Sequence, residues 1–229
     1  MSQNSELIEF SYDGGTAKGY MVKPKDEIIS HPALIVIHEW WGLNDHIRSI
    51  AERFAGEGYV VLAPDLFAGI VTKEAEEASR LMQSLDPQHG ISILNGAVEF
   101  VKATEGVEAG HIGVTGFCMG GAFALLLACK NEDIKASAPF YGDVPDEETL
   151  QHLSAPVLFI GAENDNWITQ DKMIRLSDAL AKYEKLGEVK IYRGAGHAFF
   201  NDTRPEAYNE AAAEDAWKLV NQFFAGYLK

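Results

Sequence analysis

Six short apolar runs, rich in β-branched residues and separated by longer stretches, constrain this chain more than any other feature. They are ALIVIH at 33–38, YVVLAP at 59–64, HIGVT at 111–115, ASAPFY at 136–141, PVLFIG at 156–161 and VKIYR at 189–193. Near-continuous apolar runs belong to strands buried on both faces, which requires helices on both sides of a parallel sheet. The intervening segments have helical period at 45–57, 73–84, 90–104, 118–130, 169–185 and 205–225. The predicted fold is therefore α/β, with a mostly parallel central sheet and helices on both faces. Ahead of the first run, EFSYDGGTAKGYMVKP at 9–24 reads as an antiparallel edge hairpin turning at Gly14 and Gly15. No Pro, Gly or Ser-rich linker divides the chain, so its 229 residues are expected to form one domain, 1–229.

Charge narrows the possible partners. With 34 acidic against 19 basic residues, the net charge of −15 repels phosphate backbones and anionic membranes, so neither nucleic acid nor membrane is an expected partner. The longest apolar run, AFALLLAC at 122–129, is far short of the ~20 residues of a membrane-spanning helix. The start MSQNSELIEF lacks a secretory signal pattern, which makes a cytoplasmic location the expectation. Cys118 and Cys129 fall eleven residues apart on one predicted helix, too far along its axis for a disulfide at ~1.5 Å per residue. Neither belongs to a CxxC pair, and HEW at 38–40 lacks the second histidine of HExxH, so no metal and no cofactor are expected.

The stretch GFCMGG at 116–121 joins a predicted strand to a predicted helix. Gly116, Cys118 and Gly120 have the spacing of a G-x-S-x-G nucleophile elbow with a thiol in place of the hydroxyl. A helix N-terminus also favours thiolate over thiol. The same stretch fails a dinucleotide fingerprint, because Ala122 stands where its last glycine belongs. Elbow hydrolases carry nucleophile, acid and histidine in that chain order. His197, in GAGHAFF just past a strand, is the candidate base, whereas His152 precedes a strand. Asp165 in GAENDNW is the favoured acid, with Asp143 in YGD as its substitute. Trp40, Trp41, Trp167, Phe199 and Phe200 fall in loops near these residues, suited either to an aromatic pocket or to capping the core.

Taken in order, HEWWG, VLAPDLFA, GFCMGG, APFYG, GAENDNW and GAGHAFF resemble the dienelactone hydrolase family, cysteine-dependent members of the α/β-hydrolase fold, over nearly the whole length. The resemblance implies a triad of Cys118, Asp165 and His197, with Glu39 holding the resting thiol until substrate hands its proton on. It also implies an oxyanion hole made by the backbone N–H groups of Met119 and Trp40. Well-known members bind a substrate carboxylate with arginines, one of them shortly after the histidine. Here Asn201 stands at that place, the nearest arginine is Arg204, and Ser79 and Arg80 occupy the other region. The expected activity is cysteine-dependent cleavage of a small lactone or ester, with Trp41, Trp167, Phe199, Arg80 and Arg204 as candidate substrate contacts. A broad carboxylesterase and a redox-sensing thiol protein are the alternatives, and a monomer or small homo-oligomer is expected.

Overall fold

A computed structural model describes residues 4–26 and 28–229. The chain runs β1 (Asn4–Tyr12), β2 (Gly15–Lys23), β3 (His31–Ile37), α1 (Asp45–Gly56), β4 (Val60–Pro64), α2 (Ala75–Ser84), α3 (Pro87–Lys102) and β5 (Val107–Phe117). It continues through α4 (Met119–Lys130), β6 (Ile134–Phe140), α5 (Glu147–Leu150), β7 (Val157–Asn164), α6 (Gln170–Lys182), β8 (Gly187–Gly196) and α7 (Glu210–Leu228). The eight strands form one sheet in the order β1-β2-β4-β3-β5-β6-β7-β8. β1 and β2 form the antiparallel hairpin, β2 meets β4 antiparallel, and β3 through β8 run parallel to one another.

Both faces are covered because alternate strand residues feed two cores. Ala33, Ile35 and Ile37 of β3 join α3, α4 and α6 on one side, while Leu34 and Val36 join α1 and α7 on the other. The fully buried β3 shows why the apolar runs lack polar alternation. α4 is buried nearly all round its circumference, which its uniformly apolar sequence requires.

Several boundaries differ from those predicted, for local reasons. α3 starts at Pro87, three residues early, because the Asp86 side chain accepts the His89 N–H and proline suits the first helical position. α7 starts only at Glu210, capped by Asn209, because residues 201–208 close consecutive turns on the carbonyls of Asn201 and Arg204. α4 starts at Met119, leaving Cys118 outside the helix as its N-cap.

The strand order reverses between β3 and β5, since the chain leaves β3 for β4 on one side and returns to place β5 on the other. Ligand sites of open α/β sheets lie at that switch, beyond the carboxyl ends of the strands. Glu39 follows β3, Cys118 follows β5, Tyr141 follows β6, Asp165 follows β7 and His197 follows β8, so five adjacent strands deliver one side chain each.

Candidate active site

The elbow is built by close backbone approach. A Cβ on Gly116 would land on the Gly120 carbonyl, and one on Gly120 would land on the Ile37 carbonyl, so β5, α4 and β3 touch through main chain alone. The turn places Cys118 at φ +54° and ψ −115°, a conformation that L-residues adopt only under constraint. The Cys118 N–H donates to the Phe140 carbonyl at 3.1 Å, fixing the elbow to β6. Cys118 is partly exposed and borders two adjoining cavities.

The expected thiolate preference at the helix N-terminus is overridden. Burial first, and then the Glu39 carboxylate, push the Cys118 thiol up to about 12 against the N–H groups of Met119 and Trp40, which hydrogen-bond to the sulfur; Asp165 adds to the rise. The resting group is a protonated thiol lying on the two N–H groups assigned to an oxyanion hole.

His197 and Asp165 meet as predicted, with Nδ1 to Oδ2 at 2.7 Å. Asp165 Oδ1 accepts the N–H groups of Trp167 at 2.8 Å and Ile168 at 2.9 Å. Burial acts to raise the Asp165 pKa, but the His197 hydrogen bond and these amides outweigh it and hold the group below its ordinary value. An ionised carboxylate can only accept, so Nδ1 carries the imidazole proton and Nε2 is left as the base. Nε2 is buried without a hydrogen-bond partner. Asp143 instead pairs with Lys172 at 2.7 Å on the rim of one cavity. His152 is exposed before β7.

Glu39 is 1% exposed. Its Oε2 accepts from Asn201 Nδ2 at 2.6 Å, and its Oε1 has no partner. Burial raises its carboxyl to about 7, although the Asn201 hydrogen bond and the charges of His197 and Arg204 pull the other way. Local sequence gave Asn201 no role beyond the absence of an arginine. The fold makes it the partner of Glu39, and its Oδ1 is itself fixed by the N–H and hydroxyl of Thr203 at 3.0 and 2.6 Å. His38 holds the same loop, with Nδ1 toward the Glu39 carbonyl at 2.5 Å and Nε2 accepting the Leu66 N–H at 3.0 Å.

The carboxyl of Glu39 makes stability depend on pH. Below its unfolded value near 4.5 the group is neutral in both states; between there and about 7 the unfolded chain ionises while the folded chain retains the proton. Native stability is therefore lost as pH rises through this window, by about 3 kcal/mol once both states are ionised. Glu39→Gln keeps the acceptor for Asn201 and removes that loss. Its melting temperature is expected to exceed that of the parent by several degrees at pH 8 and by much less at pH 4.5. Equal differences at the two pH values would contradict a raised Glu39.

The aromatic wall is formed by fewer residues than the sequence suggested. Trp40 packs edge-on to Trp41 and Trp167, at 4.9 and 5.6 Å between centroids, and Trp167 packs on His197 at 4.8 Å. Phe199 and Phe200 belong to the core: Phe199 is fully buried against Tyr141 and Tyr192, and Phe200 against Phe117 and Phe140. Arg80 is exposed on α2 and borders neither cavity, whereas Ser79, one residue earlier, does. Arg204 borders the cleft and stacks on Trp41 at 4.7 Å, but Glu206 neutralises its guanidinium at 2.7 Å.

The two cavities, about 410 and 430 Å³, share Trp40, Cys118, Trp167 and His197 as their common wall. One is polar-rimmed by Asn164, Arg204 and Glu206; the other is lined by Met82, Met119, Ala122, Tyr141 and Ile168. Groups of this kind on both sides of one thiol suit a substrate whose two halves flank a reacting carbonyl. Among the described residues, no cluster of three His, Cys, Asp or Glu side chains is arranged to hold a metal ion, and no helix is long and apolar enough to cross a membrane.

The sequence profile of the dienelactone hydrolase family matches residues 17–228. The chain is 36% identical over 232 residues to Protein usf of Aquifex pyrophilus, covering 97% of this chain and 99% of that protein. It is 34% identical over 233 residues to a protein of Aquifex aeolicus provisionally named a carboxymethylenebutenolidase, covering 98% and 99% of the two chains. A crystal structure from Klebsiella pneumoniae, provisionally named a dienelactone hydrolase, superposes with a TM-score of 0.92 at 27% identity, over 99% of this chain and all of that one. The chain belongs to the dienelactone hydrolase family, hydrolases that act on ester bonds and share this α/β fold.

Proposed function

We propose that the protein hydrolyses small, uncharged carboxylic esters or lactones through a thioester on Cys118. The observation that carries this reading is the His197–Asp165 pair at 2.7 Å, which leaves a buried, unpartnered Nε2 beside the cleft that holds the elbow thiol. Substrate places its carbonyl oxygen on the N–H groups of Trp40 and Met119, and the thiol proton passes by way of Glu39 to His197. The sulfur attacks the carbonyl carbon, and the tetrahedral oxyanion is held by the two N–H groups. Collapse breaks the bond to the leaving oxygen, which takes the proton from His197. His197 next deprotonates a water, hydroxide attacks the thioester, and the carboxylic acid leaves as the sulfur recovers its proton.

Neutral substrates are favoured because Arg80 lies outside the cleft, Arg204 is matched by Glu206, and the net charge of −15 opposes anions. A redox-sensing role is disfavoured by a thiol pushed up to about 12, since oxidation follows thiolate character. The test is rapid quenching with a neutral 4-nitrophenyl ester and with its analogue carrying a carboxylate on the acyl chain. The neutral ester is expected to give a burst of one nitrophenolate per protein and a hydroxylamine-labile acyl group on Cys118, and the carboxylate analogue a slower burst. An acyl group on any other residue, or sustained turnover with none on Cys118, would overturn the thioester.

A further inference from the structure

Three buried polar atoms on described residues around Cys118 have no hydrogen-bond partner: Glu39 Oε1, His197 Nε2 and the Tyr141 hydroxyl. The first two have roles in the reaction above, and Tyr141 has none. We propose that the Tyr141 hydroxyl is a further catalytic group, donating a hydrogen bond to the Cys118 sulfur when it turns from its resting position to attack. This rests on Cys118 being the nucleophile.

The geometry of Tyr141 supports a fixed role. It stands directly beyond β6, fully buried, at φ +36°, a strained value for a bulky residue. Its N–H donates to the Ile160 carbonyl at 2.7 Å. A Cβ on the next residue, Gly142, would land on the Ala122 amide, so the turn is pressed against the first turn of α4 and cannot relax. The ring packs on His197 at 5.1 Å and on Phe199 at 5.6 Å, and it lines the same cavity as Cys118. A buried tyrosine ordinarily finds an acceptor for its hydroxyl proton, so a strained one without an acceptor, on the wall of the cavity that holds the nucleophile, is a departure that calls for a cause.

The demand for a donor comes from the reaction. At rest the sulfur lies on the N–H groups of Met119 and Trp40, and these are the donors that the substrate oxyanion requires. When substrate takes them, the sulfur must lose two hydrogen bonds at the moment it becomes negative. Of the neighbouring groups, Asp165 is a carboxylate held ionised and repels that charge, Glu39 and His197 are engaged in proton transfer, and Arg204 and Lys172 are paired with Glu206 and Asp143. The Tyr141 hydroxyl is uncharged, and its proton has no acceptor. Burial, then Glu39 and Cys118, hold its pKa well above the ordinary value against the Phe200 amide, so it keeps the proton it would donate.

Tyr141→Phe removes one oxygen and leaves the ring. Two readouts separate a catalytic hydroxyl from a structural one: the rate of the acylation burst, and the steady-state constants for a neutral aryl ester. The burst rate and kcat are expected to fall roughly 10- to 100-fold with KM within threefold, as for loss of a transition-state donor. If Phe does not fold, 3-fluorotyrosine at position 141 keeps the shape and strengthens the donor, and the burst rate is expected to rise. A burst rate and turnover both within twofold of the parent would overturn the proposal. A failed nucleophile assignment looks different, because Cys118→Ala would then retain turnover whatever position 141 did.

Discussion

Cys118→Ala is expected to lower ester turnover by at least ~10³-fold while the protein stays folded. Removing a covalent nucleophile from a preorganised site typically costs 10³- to 10⁶-fold, the remainder coming from the oxyanion donors and the bound geometry. Here the residual activity should be near the lower end of what such sites retain, because the acidic Glu39 beside the elbow disfavours attack by hydroxide in place of the sulfur. Substrate affinity should change little, since Trp40, Trp41 and Trp167 supply the walls. Retention of full turnover by the alanine variant would remove the thioester and every role assigned around it.

A companion variant shows what the elbow does to stability. Cys118 sits at φ +54° and ψ −115°, where glycine is free of strain and alanine is not. Cys118→Gly is therefore expected to be more stable than Cys118→Ala by about 1 kcal/mol, read from urea midpoints at equal slope. A function-bearing side chain is held at a position better suited to none.

Much of this was legible in the chain, and the limits of legibility have physical causes. The strands announced themselves because β3 and β4 are buried along their whole length and β6 and β7 over most of theirs, and such segments have room for few polar residues. Cys118, Asp165 and His197 could be found because elbow spacing, strand ends and chain order are all local or sequential properties. Phe199 could not be placed correctly, because whether a loop aromatic faces a cleft or the core depends on backbone direction, and Ala198 at φ +61° turns the chain inward. Arg80 failed for a related reason: α2 buries Ala78, and its exposed arginine lies off the cleft face that carries Ser79 and Met82. The helix terminus beside the thiol is visible in sequence, whereas the burial that raises its pKa and the carboxylate of Glu39, 79 positions earlier, come together only in the fold. Asn201 and Tyr141 had no signal of their own, since pairing with Glu39 or sharing a cavity with Cys118 follows only from the order of strands in the sheet.

Asp165→Asn is expected to lower kcat/KM by roughly 10³- to 10⁴-fold with almost no change in stability, through the tautomer of His197 rather than through shape. Oδ1 of Asp165 accepts two backbone N–H groups, from Trp167 and Ile168. An asparagine must turn its own carbonyl oxygen to those donors, which leaves its NH₂ facing His197 Nδ1. Nδ1 then has to accept, the imidazole proton moves to Nε2, and the base can no longer take a proton from the thiol or from water. Because the defect lies in His197, removing the imidazole as well should add little: Asp165→Asn combined with His197→Ala should be no worse than His197→Ala alone within a few-fold. Additive losses in the double variant, or an Asp165→Asn protein within tenfold of the parent, would show that Asp165 is a turn-forming residue whose contact with His197 does not set the chemistry. The same cycle with Asp143→Asn should show no coupling to His197, because that carboxylate is committed to Lys172 on the rim.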